Sequence, residues 1–313
     1  MSTFTSFEQF ARDGARIAQA RPVVTVGSFD GLHLGHIYLI DELIELARRE
    51  QAPSVVVTFS MHPREFMTGK SMPALTTPQH KRKLLVEHGV DAVLLLEFNE
   101  HLRKLSARQF LAECVRGSLN ARALLVGYNN RIGKDGEGTF EVLKPMGEEL
   151  GVRVLEAERI EVSGHAMSST AIRQHVQNGD FLWARKMLGR AYSIVGSVQK
   201  GDARGRTIGF PTANISLQGL AYPPRGVYGV RVLLDGQSML GAANIGLRPT
   251  VDQAREQPLL EVHVLEFSGD LYGRELEIEF LFRVRDERKF DSLQALKAQL
   301  ALDVAEIRKR AAE

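Results

Sequence analysis

The pattern of apolar segments changes near Arg185, and this change limits most strongly what the chain can fold into. Before that point, short continuous apolar runs alternate with segments of helical spacing, which is typical of a parallel α/β sheet with helices on both faces. The runs lie at residues 23–26, 55–59, 93–98, 123–126 and 152–155. A further helix is predicted over residues 169–178, because Gly179 is placed to end it as a left-handed cap. We therefore predict an α/β domain with a parallel sheet over residues 1–185.

After Arg185, the segments between turns have the composition of strands. Asp235-Gly236 separates strand-like runs at residues 227–234 and 239–245, and this dipeptide tolerates the positive φ angles of a tight hairpin turn. Further strands are predicted at residues 259–267 and 276–284. One helix follows a capping Asp291 or Ser292, with apolar residues at a 3/4 spacing at Leu293, Leu296, Leu300, Val304 and Ile307. The pattern therefore predicts an all-β domain over residues 186–313, namely an antiparallel β-barrel that ends in a helix.

Length and composition fit two ordinary globular domains and exclude other classes. The 313 residues allow about two domains at ~150 residues each. Lys and Arg number 40 against 38 Asp and Glu, so the net charge of +2 gives no overall field for binding nucleic acid. Cys114 is the only cysteine, which excludes an intramolecular disulfide and a multi-thiolate zinc site. Since no signal-like start and no run of ~20 apolar residues occurs, we expect a cytoplasmic monomer or weak homo-oligomer that binds neither nucleic acid nor membranes.

The residues after the first apolar run have the composition of an anion site. A strand leads into a Gly-rich turn and then a helix, which places backbone N–H groups and a helix N-terminus where an anion would sit. His33 and His36, three residues apart at the entrance of that helix, are both able to reach one phosphate oxygen. Two histidines alone do not complete a zinc site. The alternative is structural: the glycines only permit a tight turn, and the histidines are partly exposed cap residues.

This segment resembles the signature of class I nucleotidyltransferases, specifically the adenylylating half of bacterial bifunctional riboflavin kinase/FAD synthetases. The resemblance lies in Gly27-x-Phe29-Asp30-Gly31-x-His33-x-Gly35-His36, in Thr58-Phe59 followed by His62-Pro63-Arg64, and in Ser168-Ser169-Thr170-x-Ile172-Arg173. It implies a Rossmann-like nucleotidyltransferase domain in which His33 and His36 are catalytic. It further implies ATP contacts at Gly27, Phe29, Asp30, Gly31, Asn129, Ser168, Ser169, Thr170 and Arg173, and flavin contacts at His62 and Pro63.

A further loop resembles the family pattern but departs from it. Asn129 matches the nucleotide-contacting position of a Gly-x-Asp/Asn-Phe-x-Phe-Gly loop, whereas Asn130 and Ile132 stand where aromatic residues are common. Ser60-Met61 likewise replaces the usual acidic residue and proline before His62. These departures concern the packing of flavin or adenine and not the phosphate chemistry. A plain turn rich in Asn and Gly is the alternative for this loop.

In the C-terminal half, residues 201–214 combine closely spaced glycines, basic residues and an oxygen-rich end. The segment is not a Walker A loop, because it lacks Gly-Lys-Ser/Thr and lies among antiparallel strands. Thr212 and Asn214 are two apart on an extended segment and face the same way, and two neutral oxygens on one face suit a magnesium ion. A flexible basic hairpin loop is the structural alternative for the glycines, but it explains residues 210–214 poorly.

Residues 211–214 resemble the Pro-Thr-Ala-Asn motif of riboflavin kinases. The match continues through Pro224-x-Gly226-Val227-Tyr228, Asn244-x-Gly246-x-Arg248-Pro249-Thr250 and Leu271-Tyr272-Gly273. The resemblance implies a β-barrel of riboflavin kinase type with Glu261 as catalytic base and Mg²⁺ at Thr212 and Asn214. It also implies ATP contacts at Gly201, Gly205, Arg206, Gly209, Thr212 and Asn214, and flavin contacts at Arg248, Arg285 and Phe290.

Together these motifs predict a bifunctional transferase. The C-terminal domain would phosphorylate riboflavin to FMN with ATP and Mg²⁺, and the N-terminal domain would adenylylate FMN to FAD with release of pyrophosphate. One alternative is that the N-terminal domain acts weakly or on another phosphate-bearing substrate. A second is that the barrel is a flavin-binding regulatory module, although such a module needs neither a general base nor a metal pair. In a third, the histidines and glycines are structural throughout.

Overall fold

The computed structural model describes residues 2–158, 161–162, 165–201, 205, 209–248 and 257–312. The chain divides into two compact units, Met1–Ser169 and Thr170–Glu313, and each has a sheet of its own. None of the described helices combines the length and the apolar composition that a membrane span requires.

The first unit is built on a parallel sheet, as the continuous apolar runs predict. Its described strands are β1 (Ser2–Phe4), β2 (Val23–Val26), β3 (Ser54–Phe59), β4 (Ala92–Leu96), β5 (Ala123–Val126) and β6 (Arg153–Glu156), in the order β1-β4-β3-β2-β5-β6. Every pairing in this order is parallel. The edge strand β1 is not predicted, because its three residues are too few to show a pattern. A short antiparallel pair follows, β7 (Glu161–Val162) with β8 (His165–Ala166).

Both faces of the central strands β2 to β5 are buried, which explains why these strands read as nearly continuous apolar runs. Val24 and Val57 belong to one core cluster, whereas their neighbours Val23 and Val56 belong to another. All four are fully buried, and each contributes about 1.5–3 kcal/mol of hydrophobic stabilisation. A half-exposed strand would instead alternate apolar and polar residues.

Helices supply the other half of each core cluster. They are α1 (Phe7–Asp13), α2 (Ala15–Gln19), α3 (Leu34–Arg49), α4 (Pro63–Thr68), α5 (Pro78–Glu87), α6 (Glu100–Lys104), α7 (Ala107–Gln109) and α8 (Phe140–Leu150), with a π-helix at Phe110–Ser118 and a 3₁₀ turn at Lys134–Gly136. A capping box begins α7, because the Ser106 hydroxyl accepts the Gln109 N–H and the Gln109 side chain accepts the Ser106 N–H. The Ser-x-x-Gln spacing ahead of Phe110 and Leu111 predicts this cap from the sequence, and the structure confirms it. The helix then continues as a π-helix, which a 3/4 apolar spacing does not distinguish from an α-helix.

The strand order creates a crevice at the carboxyl ends of two central strands. From β2 the chain builds β3 and β4 on one side and then crosses to β5 on the other side of β2. The carboxyl ends of β2 and β5 therefore flank a topological switch point, where open α/β sheets bind their ligands. The loops at residues 27–33 and 127–130 both leave the sheet at this point.

The second unit contains an antiparallel sheet. Its described strands are β9 (Ser193–Ser197), β10 (Ala213–Ser216), β11 (Gly226–Leu234), β12 (Gln237–Arg248), β13 (Gln257–Val264) and β14 (Glu275–Arg285), in the order β10-β13-β12-β11-β14-β9. A bridge between Gln199 and Asn214 joins the two edge strands, so the sheet curls into a near-closed barrel. The predicted hairpin is confirmed, since Asp235 and Gly236 have φ angles of 48° and 77° between β11 and β12.

The described part of this region also contains the helices α9 (Ser169–Gln177), α10 (Phe181–Leu188) and α11 (Leu293–Ala311). Gly179 has a φ of 74°, as predicted for the residue that ends α9. Of the two candidate caps for α11, Ser292 is the one used, because its hydroxyl accepts the Ala295 N–H. The α/β domain followed by a barrel and a final helix is thus confirmed as the fold class.

Candidate active sites

In the first unit, the loop at residues 27–33 is shaped by Gly31 and Phe29. Gly31 has a φ of 77°, and a Cβ there would lie 2.6 Å from Leu75 Cδ1, so only glycine fits without strain. The Phe29 ring is buried and packs edge-on against the His36 ring, with centroids 5.2 Å apart. The loop thereby carries the chain from β2 into the N-terminus of α3.

His33 and His36 lie together at the entrance of α3. The His33 Nδ1 accepts the His36 backbone N–H at 3.2 Å, which makes His33 the N-cap and leaves its Nε2 to carry the ring proton in the neutral form. The two rings stack with centroids 3.6 Å apart. Burial, with smaller contributions from the charges of His33 and Lys81, holds the pKa of His36 well below 6.5. His36 is therefore a neutral imidazole near pH 7.

The His36 Nδ1 is buried and has no hydrogen-bond partner among the described residues. A buried polar atom without a partner is costly unless a ligand satisfies it. Together with the N–H groups at the start of α3, this arrangement has the donor chemistry of a phosphate site.

Asp30 stabilises the loop at residues 27–33 through hydrogen bonds to neighbouring backbone. Its buried carboxylate accepts the Leu75 N–H at 2.9 Å and the Thr76 N–H at 3.2 Å, and its backbone carbonyl accepts the Ser169 hydroxyl at 2.9 Å. The structure therefore brings Ser169, and Ser168 beside it, to the loop that bears the histidines. Asp30 acts here through the shape of the loop.

The other predicted residues of this site fall into separate groups. Asn129 is exposed in the turn after β5, and its neighbour Asn130 donates to the Val26 carbonyl at 2.6 Å, which ties the ends of β5 and β2 together. His62 caps α4 through its Nδ1, with Pro63 as the first helical residue. Thr170 and Arg173 follow Ser169 on α9 but belong to the second unit, where Thr170 is exposed and Arg173 is buried.

In the second unit, one row of side chains crosses five strands. Asn214 of β10 pairs with Glu261 of β13, which pairs with Asn244 of β12. Asn244 in turn pairs with Val227 of β11, and Val227 with Arg285 of β14. All five line a cavity of about 680 Å³. The barrel register thus brings the predicted base Glu261 directly beside the predicted metal ligand Asn214.

Thr212 and Asn214 also line a second cavity of about 370 Å³. Its other lining residues are Val198, Pro211, Ala213, Val262, Val264 and the loop at residues 267–272. The two predicted metal ligands therefore border both cavities. Among the described residues, no group of three or more His, Cys, Asp or Glu side chains is arranged to hold a metal ion.

Two of the predicted glycines, Gly201 and Gly205, are required because neighbouring atoms leave no room for a Cβ. A Cβ on Gly201 would lie 2.3 Å from the Asn214 Nδ2, and one on Gly205 would lie 2.2 Å from the Phe210 carbonyl oxygen. Gly209 has a φ of 84° and free space around it. Arg206, with Asp202 to Arg204, Thr207 and Ile208, lies outside the described residues, as do Pro249 and Thr250. Arg248 is described only as the last residue of β12.

Helix α11 forms one wall of the larger cavity through Leu293, Leu296, Leu300 and Val304. An ion pair fixes it to β14, because the Arg285 guanidinium makes three contacts of 2.8–3.0 Å with the buried Asp303 carboxylate. The predicted residue Arg285 thus positions the helix. Phe290 lines the cavity and lies under the Arg285 and Arg288 guanidinium groups, at 5.6 and 4.9 Å.

The sequence assigns no role to several residues of these sites, although Asn244 belongs to the motif that begins Asn244-x-Gly246. Asn244, Asp303 and Glu287 line the larger cavity, and the His263 Nδ1 donates to the Pro211 carbonyl at 2.8 Å. In the first unit, the Lys81 ammonium donates to two backbone carbonyls of the histidine-bearing site. No spacing rule points to these residues, because register and backbone acceptors determine their positions.

Comparisons with known proteins agree with this geometry. A family model described as FAD synthetase matches residues 16–171, and one described as riboflavin kinase matches residues 188–311. The bifunctional riboflavin kinase/FMN adenylyltransferase of Pseudomonas fluorescens is 41% identical over 290 residues, or 93% of each chain. Proteins of the same name from Escherichia coli (strain K12) and Bacillus subtilis (strain 168) are 41% and 36% identical, over 90% and 92% of each chain.

Among solved structures, one named macrolide-efflux protein from Streptococcus pneumoniae is similar over 92% of this chain and 94% of that chain, with a TM-score of 0.78 and 33% identity. Its name differs from those of the curated relatives, but the two family models and the relatives' identity over nine-tenths of the chain agree with each other. The predicted family and activities are thereby confirmed. The chain belongs to the bifunctional riboflavin kinase/FMN adenylyltransferase family, whose C-terminal riboflavin kinase domain makes FMN from riboflavin and ATP and whose N-terminal FAD synthetase domain converts FMN to FAD.

Proposed function

We propose that phosphoryl transfer takes place where the two cavities of the second unit meet, at Thr212, Asn214 and Glu261. The Glu261 carboxylate accepts the proton of the riboflavin 5′-hydroxyl, the freed oxygen attacks the γ-phosphorus of ATP, and ADP leaves. The observation that carries this proposal is the direct pairing of Asn214 with Glu261 on residues that border the larger cavity.

The two cavities suit different substrates. The larger one offers apolar side chains from α11 and the Phe290 ring, which match the flat apolar ring system of riboflavin. The smaller one lies between Pro211 and the loop that contains Tyr272, and we assign it to ATP. Gly201 and Gly205 let the backbone approach the phosphates, because larger residues there would strike Asn214 or Phe210.

The residues between the cavities fit Mg²⁺. The Thr212 hydroxyl and the Asn214 amide offer hard neutral oxygens, and Mg²⁺ commonly takes only one or two protein ligands beside substrate phosphates and water. The described residues form no cluster of three acidic or imidazole ligands that would hold a metal independently of substrate. When bound, Mg²⁺ would neutralise charge on the ATP phosphates.

In the first unit, adenylyl transfer needs no protein nucleophile. A 5′-phosphate oxygen of FMN attacks the α-phosphorus of ATP, and pyrophosphate leaves. His33 through Nε2–H, His36 as a neutral imidazole and the N–H groups at the start of α3 stabilise the charge that builds up on the phosphates. Ser168, Ser169, Thr170 and Arg173 bind the departing pyrophosphate in this scheme, and His62 and Pro63 contact the flavin.

We place the functional boundary between residues 185 and 186, in the interval between the two family matches. The bacterial origin of the relatives and the use of ATP in both reactions support a cytoplasmic location. The near-balanced charge of +2 argues against nucleic acid as a partner. We retain a monomer or weak homo-oligomer as the predicted assembly.

Two matched variants of the full chain test these roles, each serving as the control for the other. With riboflavin, ATP and Mg²⁺, Glu261→Gln is expected to lower FMN formation by about 10²–10⁴-fold while still converting supplied FMN to FAD. His36→Ala is expected to lower FAD formation by about 10²–10³-fold while still making FMN. FMN, FAD, ADP and pyrophosphate are resolved over time. Wild-type FMN formation by Glu261→Gln, or wild-type FAD formation by His36→Ala, would refute the corresponding assignment.

A further inference from the structure

A buried lysine lies beneath the histidine-bearing loop of the first unit. Lys81, on α5, is 6% exposed, and its Nζ donates to the carbonyls of Ser28 and Phe59 at 2.7 Å each. Ser28 follows β2 and Phe59 ends β3, so one ammonium joins the carboxyl ends of two neighbouring parallel strands. The Ser28 carbonyl also accepts the Thr58 hydroxyl at 3.0 Å. One side chain of α5 therefore ties the start of the loop to the end of β3.

The charge of this lysine is coupled to the site. Burial lowers the pKa of Lys81 from 10.5 to about 8, against a smaller opposing effect of the Asp30 carboxylate. The ammonium also contributes to the low pKa of His36. The titratable groups of the loop and of α3 that interact with its charge are Asp30 and His36. The carbonyls from β3 and the loop carry no titratable proton.

Holding the carbonyls of Ser28 and Phe59 together explains only part of the chemistry of Lys81. A neutral amine keeps two N–H groups, which is enough to hold the Ser28 and Phe59 carbonyls. Among the described residues, the protonated form has a third N–H with no protein acceptor. Burying a charge is costly, and an uncharged donor would join the strand ends equally well. The charge is thus not needed for the two carbonyl contacts.

We propose that Lys81 is a positioning residue for adenylyl transfer: its two carbonyl contacts hold the loop at residues 27–33 in shape, and its positive charge stabilises the phosphates of ATP bound at that loop. This proposal rests on the assignment of adenylyl transfer to this loop. It names a residue outside the Gly-His motif, on a helix that contributes none of the predicted contacts. Fixed charge aimed at a developing negative charge is effective because it requires no reorganisation during the reaction.

The test measures both reactions of the full chain across pH 6.5–10 in wild type, Lys81→Met and Lys81→Arg. FAD formation from supplied FMN is followed together with FMN formation from riboflavin, which reports on the second unit of the same polypeptide. In wild type, kcat/KM for ATP in adenylyl transfer is expected to fall as pH rises through about 8. Lys81→Met is expected to lower it by about tenfold or more at pH 7 and to show no such fall. Lys81→Arg is expected to retain more activity at high pH than wild type does relative to pH 7, because arginine stays charged.

The outcomes separate the possible roles. A wild-type profile that is flat through pH 8, a fall that persists unchanged in Lys81→Arg, or Lys81→Met activity within twofold of wild type would each overturn the proposal. If Lys81→Met loses FMN formation as well, the wild-type and Lys81→Arg profiles decide the question. If wild type makes no FAD, the assigned reaction itself fails, which is distinct from a failure of the role of Lys81.

Discussion

The ion pair between Arg285 and Asp303 holds the helix that walls the riboflavin cavity, so removing Asp303 should loosen that wall. Asp303 is 2% exposed and receives three guanidinium contacts, together with a hydrogen bond from Gln299 at 2.8 Å. Asp303→Ala leaves the Arg285 side chain, which is only 18% exposed, without its carboxylate. Removing one partner of a buried ion pair lowers the free energy of unfolding by about 3–5 kcal/mol. Because Arg285 is partly exposed, we expect a loss near the lower value for Asp303→Ala.

Trp183 makes this loss measurable, because it is the only tryptophan of the chain and lies on α10 in the second unit. Urea unfolding followed by its fluorescence therefore reports on that unit. With a slope of about 2 kcal/mol per molar urea, a loss of about 3 kcal/mol lowers the midpoint by about 1.5 M. The KM for riboflavin should rise, since four apolar α11 side chains line the cavity besides Asp303. FAD formation from supplied FMN should not change.

Glu306→Ala is the matched control, because Glu306 is an exposed acid on the same helix, and its effect should stay within about 0.5 kcal/mol. An Asp303→Ala midpoint within about 0.3 M of wild type would refute the reasoning, at the usual slope for small proteins. So would an unchanged riboflavin KM despite a lowered midpoint, because it would mean that α11 is not part of the riboflavin site.

Two further predictions concern single positions. Gly201→Ala should lower FMN formation by about tenfold or more and leave FAD formation unchanged, because the new Cβ would strike the Asn214 amide. Gly219→Ala is the comparator for backbone strain without a collision, because Gly219 has a φ of 75° and its Cβ would meet open space; equal kinase rates in the two variants would contradict the explanation. Cys114 should react with a thiol reagent at pH 8 only as the protein unfolds, because burial raises its pKa to about 12; stoichiometric labelling of the native chain within seconds would contradict this.

Much of the fold follows from short-range rules in the sequence. The runs at residues 23–26 and 123–126 coincide with β2 and β5, because strands buried on both faces are apolar at nearly every position. The exception, Thr25, donates its hydroxyl to the Leu125 carbonyl. The turn at Asp235-Gly236 and the cap at Gly179 were predictable because few residues tolerate a positive φ. The catalytic candidates were identified from motifs, each a short run of residues that share one loop or strand.

The contacts between distant segments could not be predicted in this way. The pairing of Glu261 with both Asn214 and Asn244 depends on the register of three strands, and a slip of one residue would turn Glu261 to the other face. Asp303 reads as an ordinary polar position of an amphipathic helix until α11 is placed against β14. The π-helix at Phe110–Ser118 follows a correctly predicted cap, yet its apolar positions are equally compatible with an α-helix.

The net charge of the whole chain does not reveal the buried charge of Lys81. A net charge of +2 averages over the surface, whereas the relevant charge is a single ammonium inside the first unit. Because its pKa falls from 10.5 to about 8 on folding, the buried charge costs about 3 kcal/mol at neutral pH. That cost is fully present below pH 8 and disappears by pH 10.5, so the contribution of Lys81 to stability rises with pH over this interval. The proposed contribution to adenylyl transfer falls over the same interval, because it needs the charge. If Lys81 only supported the fold, stability and adenylyl transfer would both improve as the pH rises. Opposite trends of stability and adenylyl transfer with pH therefore distinguish a charge that acts in catalysis from one that acts only in structure.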